Sequence, residues 1–596
     1  MLSIYDYGVI VVYFGFMIAI SASFRRSNRN TSDYFRGGGQ MLWWMVGATA
    51  FMTQFSAWTF TGAASKAYEN GALVLGIYFA NAAGFFINYL WTAPRLRQMR
   101  VVTTLEGIRE RWSARNEQFF TWIMLPVGLL ISGIGLNGLG VVLASVFGIN
   151  INLTILLAGA VVIFMTTLGG AWATTASDFM QLIILVLLTT VGAFLAIHHI
   201  GGVGTFLERM PENAFTWGDI SRPEILILWF LALFLKQLLG TNNMSEGYRY
   251  LCAKDTPEAR KGALLATILF IVGPVLWFIP PMVARAVYPD LSVVPALATL
   301  GTRVNDGAYL AISIATMPDG MVGLMVTALF AATMSSMDSG LNKNAGIFIR
   351  SFWLTFVRPK ATETELLVTS KTVTIVFGIL MILSALMFNS MKELSLFDLM
   401  MQFGSLVTMP LAVPLLWGMF VKRTPPWSAW TTVLVCLLFS FIVGNLSTWF
   451  GPDAYRRLMG FTLPFTAWEQ TDAVFVLGVL SNVILGSAWF LGTTFWYSRQ
   501  PASYHAKVEA FFTKLRTPID FQKEHGTSTD YSQLHVMGRL CLIYGAFILA
   551  LAAIPNPSIG RWCFVFIGVA AGGIGLALRR AAVTAKRRES AGLPVV

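Results

Sequence analysis

The stretch FAATMSSMDSGLNKNAG, residues 330–346, decides how the rest of the chain is read. It lies in a run that is otherwise apolar enough for lipid, yet it carries hydroxyls, a carboxylate, amides and an ammonium. At about 100° per residue, Ala332, Ser335, Ser336, Ser339 and Lys343 share one narrow helix face, with Asp338 on its shoulder. A lone serine in a membrane helix usually bonds back to its own i−4 carbonyl. Three hydroxyls on one stripe beside a carboxylate offer hard oxygen ligands of the kind small hard cations prefer. No set of thiols or imidazoles competes, so a soft metal is not expected.

The surroundings of this stretch are those of an integral membrane protein. Of 596 residues, 56% are hydrophobic and 12% charged, against about 25% charged in soluble domains. Fifteen apolar segments are expected: 5–24, 41–66, 70–94, 118–146, 150–168, 172–198, 224–248, 262–286, 320–349, 367–389, 395–421, 427–449, 471–497, 536–555 and 560–578. Runs of about 20 apolar residues read as spanning helices, which satisfy their own backbone in lipid. They are too long and too continuous for the strands of a membrane barrel. The net charge of +12 is a topology signal and no sign of nucleic acid. With the N-terminus outside, about 32 of the 42 Lys and Arg fall on the inner side, as cytoplasmic loops require. They cluster at Arg25, Arg26, Arg29 and Arg36, at 95–115, 254–261, 350–360 and 422–423, at 507–523, and in the tail from Arg579 to Arg588. The expected location is thus the plasma (inner) membrane, with a cytoplasmic C-terminus and lipid as the surrounding partner. The first segment is long and lacks a small-residue cleavage site, so it is read as retained. The four cysteines are scattered, with no metal spacing and no expected disulfide. The polar stretch 498–535 contains HAKVEAFFTKLRTP, expected to lie as an amphipathic helix on the inner membrane surface.

Two apolar segments are interrupted. The second, WWMVGATAFMTQFSAWTFTGAAS, has Thr53, Gln54, Ser56 and Gly62 near its middle; the seventh has Gly240, Thr241, Asn242 and Asn243. Broken helices survive in a membrane only where the freed backbone meets protein, ions or a wet cavity. Two breaks five helices apart point to a carrier built from two inverted repeats, with its site near the midplane. Two further charges lie deep in apolar segments. Asp178 follows the Gly169–Gly170 turn by about eight residues, roughly 12 Å along a helix, and an ionisable group at that depth is functional by default. Lys236 is near mid-segment, and the favoured reading is an ion pair with Asp398, ahead of contact with an anionic solute. Gln402, one turn past Asp398, is a candidate for hydrogen bonding a solute or a neighbouring helix. No clustered His/Asp or Ser/His arrangement suggests an enzyme, and a nucleophilic Ser339 lacks a nearby base.

The segments SDYFRGGGQMLWWMVGATAFMTQFSAWTFTG, TTLGGAWATTASDFMQ, YRYLCAKDTPEARKG, ALFAATMSSMDSGLN and PLLWGMFVKR, in this order across roughly residues 5–425, resemble the sodium/solute symporter family. The resemblance implies a ten-helix core of two inverted five-helix repeats, with the first and sixth core helices discontinuous. It divides the chain into an extra N-terminal helix and inner loop (1–40), the transport core (41–425) and additional C-terminal helices (426–596). It implies Na+ as the coupling ion. The main sodium site would fall on backbone carbonyls of Met52, Phe55 and Ala332 with the hydroxyls of Ser335 and Ser336. A second sodium would fall on Asp178, Ser335, Asp338 and Ser339, although members with that site have serine where this chain has Asp338. Asn243 matches an asparagine of the sugar-transporting branch, whose lysine in the next core helix is Phe270 here. Gln54, Ser56 and Trp58 on the broken helix join Asn243 and Gln402 as candidate substrate contacts. The expected function is sodium-coupled import of a small polar organic solute, leaning to a sugar or sugar derivative. The alternatives are a proton-coupled or sodium-independent carrier of the same build, or a membrane solute sensor. Oligomeric state is left open.

Overall fold

Short polar interruptions in long apolar runs set where each helix stops. The computed structural model describes residues 2–24, 30–215, 222–391, 396–525 and 530–590. Arg25, Arg26 and Arg29, expected on the inner side, lie outside those residues. Among the described residues the chain is helical, its one β contact being an isolated bridge between Met41 and Ala253.

The chain enters through α1 (Ile4–Phe24). The first core helix is in pieces: α2 (Trp43–Met52), α3 (Ala57–Phe60) and α4 (Gly62–Asn70). Next come α5 (Leu75–Ile87), the short α6 (Thr104–Arg111) and the long α7 (Ala114–Phe147). The run α8 (Ile151–Ile200) spans two crossings, because Gly170 sits inside it at φ 60° and ψ −171°. Only glycine populates that region readily, so the Gly169–Gly170 turn falls where the sequence places it. The sixth core helix is α9 (Pro223–Asn242), broken at Asn243 and resumed as α10 (Tyr248–Leu251). Then follow α11 (Thr256–Trp277), α12 (Ile279–Val287), α13 (Met321–Ile347) and α14 (Glu363–Ser390). The last core crossing is α15 (Leu396–Phe403) continued by α16 (Met409–Trp417). Beyond it lie α17 (Ser428–Phe450), α18 (Ala467–Gly492), α19 (Ala502–Lys514), α20 (Asp530–Leu551) and α21 (Ser558–Ser590).

Twelve helices among the described residues are long and apolar enough to cross a membrane. The larger number of expected segments differs for local reasons. Gly170 divides one continuous run into two crossings, α1 is shorter in its apolar part, and α2 is cut short by its break. The helix carrying the hydroxyl stripe is the central one: 94% of its most apolar window is buried inside the protein, against 22% for α17 at the periphery. Asp6 on α1 holds its N-terminal end, accepting the Gly320 and Gly323 N–H groups at 2.9 and 2.7 Å. A carboxylate there satisfies orphan donors and complements the helix dipole.

Segment 502–525 departs from the lipid-surface expectation. Val508, Phe511, Phe512 and Leu515 of its apolar side are buried, and the segment packs on α6. Polar contacts fix it there. Lys507 Nζ donates to the Arg109 and Trp112 carbonyls at 2.8 and 3.2 Å, and Lys514 pairs with Glu110 at 2.8 Å. Tyr504 donates to the Thr424 carbonyl, and Lys422 pairs with Glu509. Farther along, Arg100 binds the Thr517 and Pro518 carbonyls and pairs with Glu524, while the Ile519 N–H donates to Thr256 Oγ1. Lys254 meets Asp530 at 2.6 Å in a buried pair. The inner loops supply enough donors and carbonyls to hold the segment on protein.

Candidate functional site

The break in the first core helix is built by its own side chains. Thr53 Oγ1 donates back to the Thr49 carbonyl at 2.8 Å, the Phe55 N–H reaches the Met52 carbonyl at 3.1 Å, and Ser56 is extended, accepting the Trp58 N–H at 3.3 Å. Such local bonds compete with the helical ladder and stop it. The restart is pinned to the stripe helix: the Ala57 N–H donates to Thr333 Oγ1 on α13 at 2.7 Å. The second break is closed by Asn243, which donates to the Leu239 and Gly240 carbonyls and accepts from the Ser245 N–H.

Of the residues expected to form the main sodium site, Met52 and Phe55 border the first break and Ala332, Ser335 and Ser336 lie on α13, which is bonded to it through Thr333. Met52, Phe55 and Ala332 are wholly buried, as is Ser335; Ser336 is half-buried. Ser335 Oγ turns away from its own helix and donates to Asp178 Oδ1 on α8 at 2.6 Å. Ser336 Oγ donates to the Thr333 carbonyl at 2.9 Å and stands on the wall of the central cavity. The stripe therefore faces the break and α8, away from acyl chains. The donors gathered here are carbonyl, hydroxyl and carboxylate oxygens, which suit a small hard cation. Ser336→Ala is expected to leave the protein inserted and to weaken sodium activation of uptake about tenfold, the scale of one lost polar ligand. Sodium titration of uptake into vesicles checks it, and an unchanged half-activating concentration removes Ser336 from the site.

Asp178, Ser335, Asp338 and Ser339 are all buried between α8 and α13. Asp178 Oδ2 has no hydrogen-bond partner among the described residues. A buried charged oxygen without a donor calls for a cation or a water. Asp338 Oδ1 accepts a hydrogen bond from Thr166, on the first half of α8, which the sequence reading did not include. Ser339 lines a small cavity of about 40 Å³, shared with Thr49, Thr174 and Thr175. That is room for a water or an ion.

The central cavity, about 360 Å³, lies between the two breaks. Gln54, Ser56 and Trp58 line it from the first break and Asn243 from the second; Tyr78, Asn81 and Lys236 also reach it. Gln402 lies off this wall, where its neighbours Met401 and Phe403 stand. Phe270 packs among aromatic rings away from the cavity, against Phe51 and Phe85. At one end Trp58 stacks on Phe397, ring centroids 5.8 Å apart, with Lys66 over the same ring. Toward the other end stand Glu246, Arg249 and Lys343, where Glu246 bridges Arg249 at 2.8 Å and Lys343 at 3.0 Å. The lining residues from 124 to 135, 236 to 249, 336 to 344 and 408 to 412 sit on the helix halves nearest the basic loops. The cavity thus extends from the breaks toward the basic face, behind an aromatic lid. The Glu246 network was not expected, because its members come from separate segments. Lys236 is not paired with Asp398: no salt bridge joins them, and its Nζ approaches Met401 Sδ at 3.8 Å. Its stem fills the space left by the missing side chain of Gly404, where a Cβ would sit 2.4 Å from Lys236 Cε.

Two broken helices that meet over a central cavity, flanked by buried oxygen atoms, are the build of a secondary transporter. The sequence profile described as the sodium:solute symporter family matches residues 34–435, and the chain belongs to that family. It is 25% identical over 512 residues to the sodium/glucose cotransporter of Vibrio parahaemolyticus, covering 82% of this chain and 91% of that one. It is 25% identical over 451 residues to the sodium/sialic acid symporter SiaT of Proteus mirabilis (strain HI4320), covering 73% and 88%. A solved structure of a Na+-coupled sialic acid symporter, substrate-bound and outward-open, superposes with a TM-score of 0.63 at 23% identity over 82% of this chain and 98% of that one. Mhp1, a nucleobase-cation-symport-1 family transporter in a closed conformation, superposes with a TM-score of 0.53 at 13% identity over 80% and 98%. Those superpositions establish the fold. The protein is a multi-pass membrane transporter, and sodium is the coupling ion of its family.

Proposed function

We propose that this protein imports a small polar organic solute, a sugar or sugar derivative, together with sodium by alternating access. One observation carries the reading: α13 is bonded to the restart of the broken first core helix through Thr333 and to Asp178 through Ser335, beside the central cavity that Ser336 lines. A cation bound among Met52, Phe55, Ala332, Ser335 and Ser336 would draw the broken helix and α13 together. The cavity wall formed by Gln54, Ser56, Trp58 and Asn243 would be ordered by the same step, so that sodium and solute each tighten the other's binding. A second cation would sit among Asp178, Ser335, Asp338 and Ser339. With the basic loops inside, the membrane potential adds about 2.3 kcal/mol per inward charge per 100 mV. In this orientation the observed cavity faces the cytoplasm, with the Trp58–Phe397 stack closing the outer side.

The test is solute uptake into proteoliposomes at fixed pH with sodium replaced by choline. Uptake is expected to collapse in choline. Equal uptake in both salts overturns sodium coupling and leaves a proton-coupled or uncoupled carrier of the same build.

A further inference from the structure

We propose that the solute carried in the central cavity is a hydroxylated organic anion, its carboxylate bound by Lys236. This rests on the reading of that cavity as the solute site and names the chemical class it takes. Four charged side chains line the cavity: Lys236, Arg249 and Lys343 against the single carboxylate of Glu246. Glu246 is already shared by Lys343 and Arg249. Lys236 has no carboxylate within ion-pair distance among the described residues, and its ammonium approaches the Met401 sulfur at 3.8 Å. The side chain is half-buried on the cavity wall and projects from the middle of a spanning helix toward Gly404, too far from either helix end to snorkel along it.

An ammonium held in a low-dielectric wall without a counter-charge is poorly placed unless the charge arrives with the ligand. Glu246 leaves the wall with an excess of two positive charges, which favours an anion over a neutral solute. The polar part of the remaining wall, set among Met, Val and Leu side chains, suits hydroxyls. Asn81 Oδ1 is a buried acceptor with no donor, and Gln54, Ser56 and Asn243 stand nearby on the same surface. Space of about 360 Å³ accommodates a small solute. A sugar acid or another hydroxy acid meets all three conditions; an uncharged sugar meets two.

Wild type, Lys236→Met and Lys236→Arg proteins are purified, and their melting is followed with matched probes: gluconate against glucose, and N-acetylneuraminate against N-acetylmannosamine, each with sodium or choline. A wild-type shift with the acid of a pair and none with its neutral partner is expected. The acid should bind at least about tenfold more weakly to Lys236→Met, as loss of a buried charge contact implies, and recover in Lys236→Arg. Without any probe, Lys236→Met should melt at or above wild type, because a half-buried charge without a counter-charge has been removed. Equal stabilisation by a neutral partner in wild type and Lys236→Met overturns the proposal while leaving sodium coupling intact. So does lower melting of Lys236→Met without probe, which makes the lysine a structural group and decides the matter even if no probe binds. A wild type that melts identically in sodium and choline strikes instead at the sodium reading.

Discussion

Asp178→Asn is expected to remove sodium-driven uptake almost entirely while leaving the protein folded. The side chain is fully buried, its Oδ1 accepts a hydrogen bond from Ser335, and its Oδ2 has no hydrogen-bond partner among the described residues. Asparagine keeps the size and an acceptor oxygen for Ser335, so the change is close to a deletion of charge alone. Losing a buried, desolvated charge contact costs about 2–5 kcal/mol, a rise of about 30-fold or more in the sodium concentration needed. The variant without sodium should be no less stable than wild type, since an uncompensated buried carboxylate has gone. Melting curves across a sodium chloride titration, with choline chloride holding ionic strength, read both effects. Wild type should gain stability as sodium rises, by linked binding, and the variant should gain little. An equal gain in both proteins places the ion elsewhere.

Gly170→Ala is expected to lower stability although it adds only one methyl group. Gly170 holds φ 60° and ψ −171° at the turn between two crossings. A side chain there brings strain of about 1–3 kcal/mol, and relief would tilt the helix that carries Asp178. Gly572→Ala is the control, because a Cβ there meets nothing within 4 Å in a helix interior, where alanine is preferred. Thermal melting in detergent should show a fall of several degrees for Gly170→Ala and no fall for Gly572→Ala. Matching curves would mean that the turn relaxes freely.

Both breaks, the Gly169–Gly170 turn and the α13 stripe could be read in advance because each is written in consecutive residues. Thr53, Gln54 and Ser56 interrupt a helix by local bonds, and periodicity alone puts Ser335 and Ser336 on one face. What stayed hidden depends on registers between helices. Thr166 reaches Asp338 only because two crossings lie side by side. Glu246, Arg249 and Lys343 are brought together by the second break and α13, which are about a hundred residues apart. Lys236 was matched with Asp398, yet it lies by Met401 and Gly404, where an absent side chain leaves it room. The amphipathic pattern of α19 was equally compatible with lipid and with protein, and the contacts of Lys507 and Lys514 decided for protein.

The lacing of 502–525 across the basic face, with Asp530 beyond it, has a mechanical side. It is fastened to α6 through Lys507 and Lys514, and to the loop and helix that continue from α10 through Thr256 and Lys254. Any swing that parts those two groups pulls on a single tether. A cut between Thr517 and Ile519 is expected to uncouple the two groups, and a changed uptake rate with unchanged melting of the cut protein is the measurement that reads it.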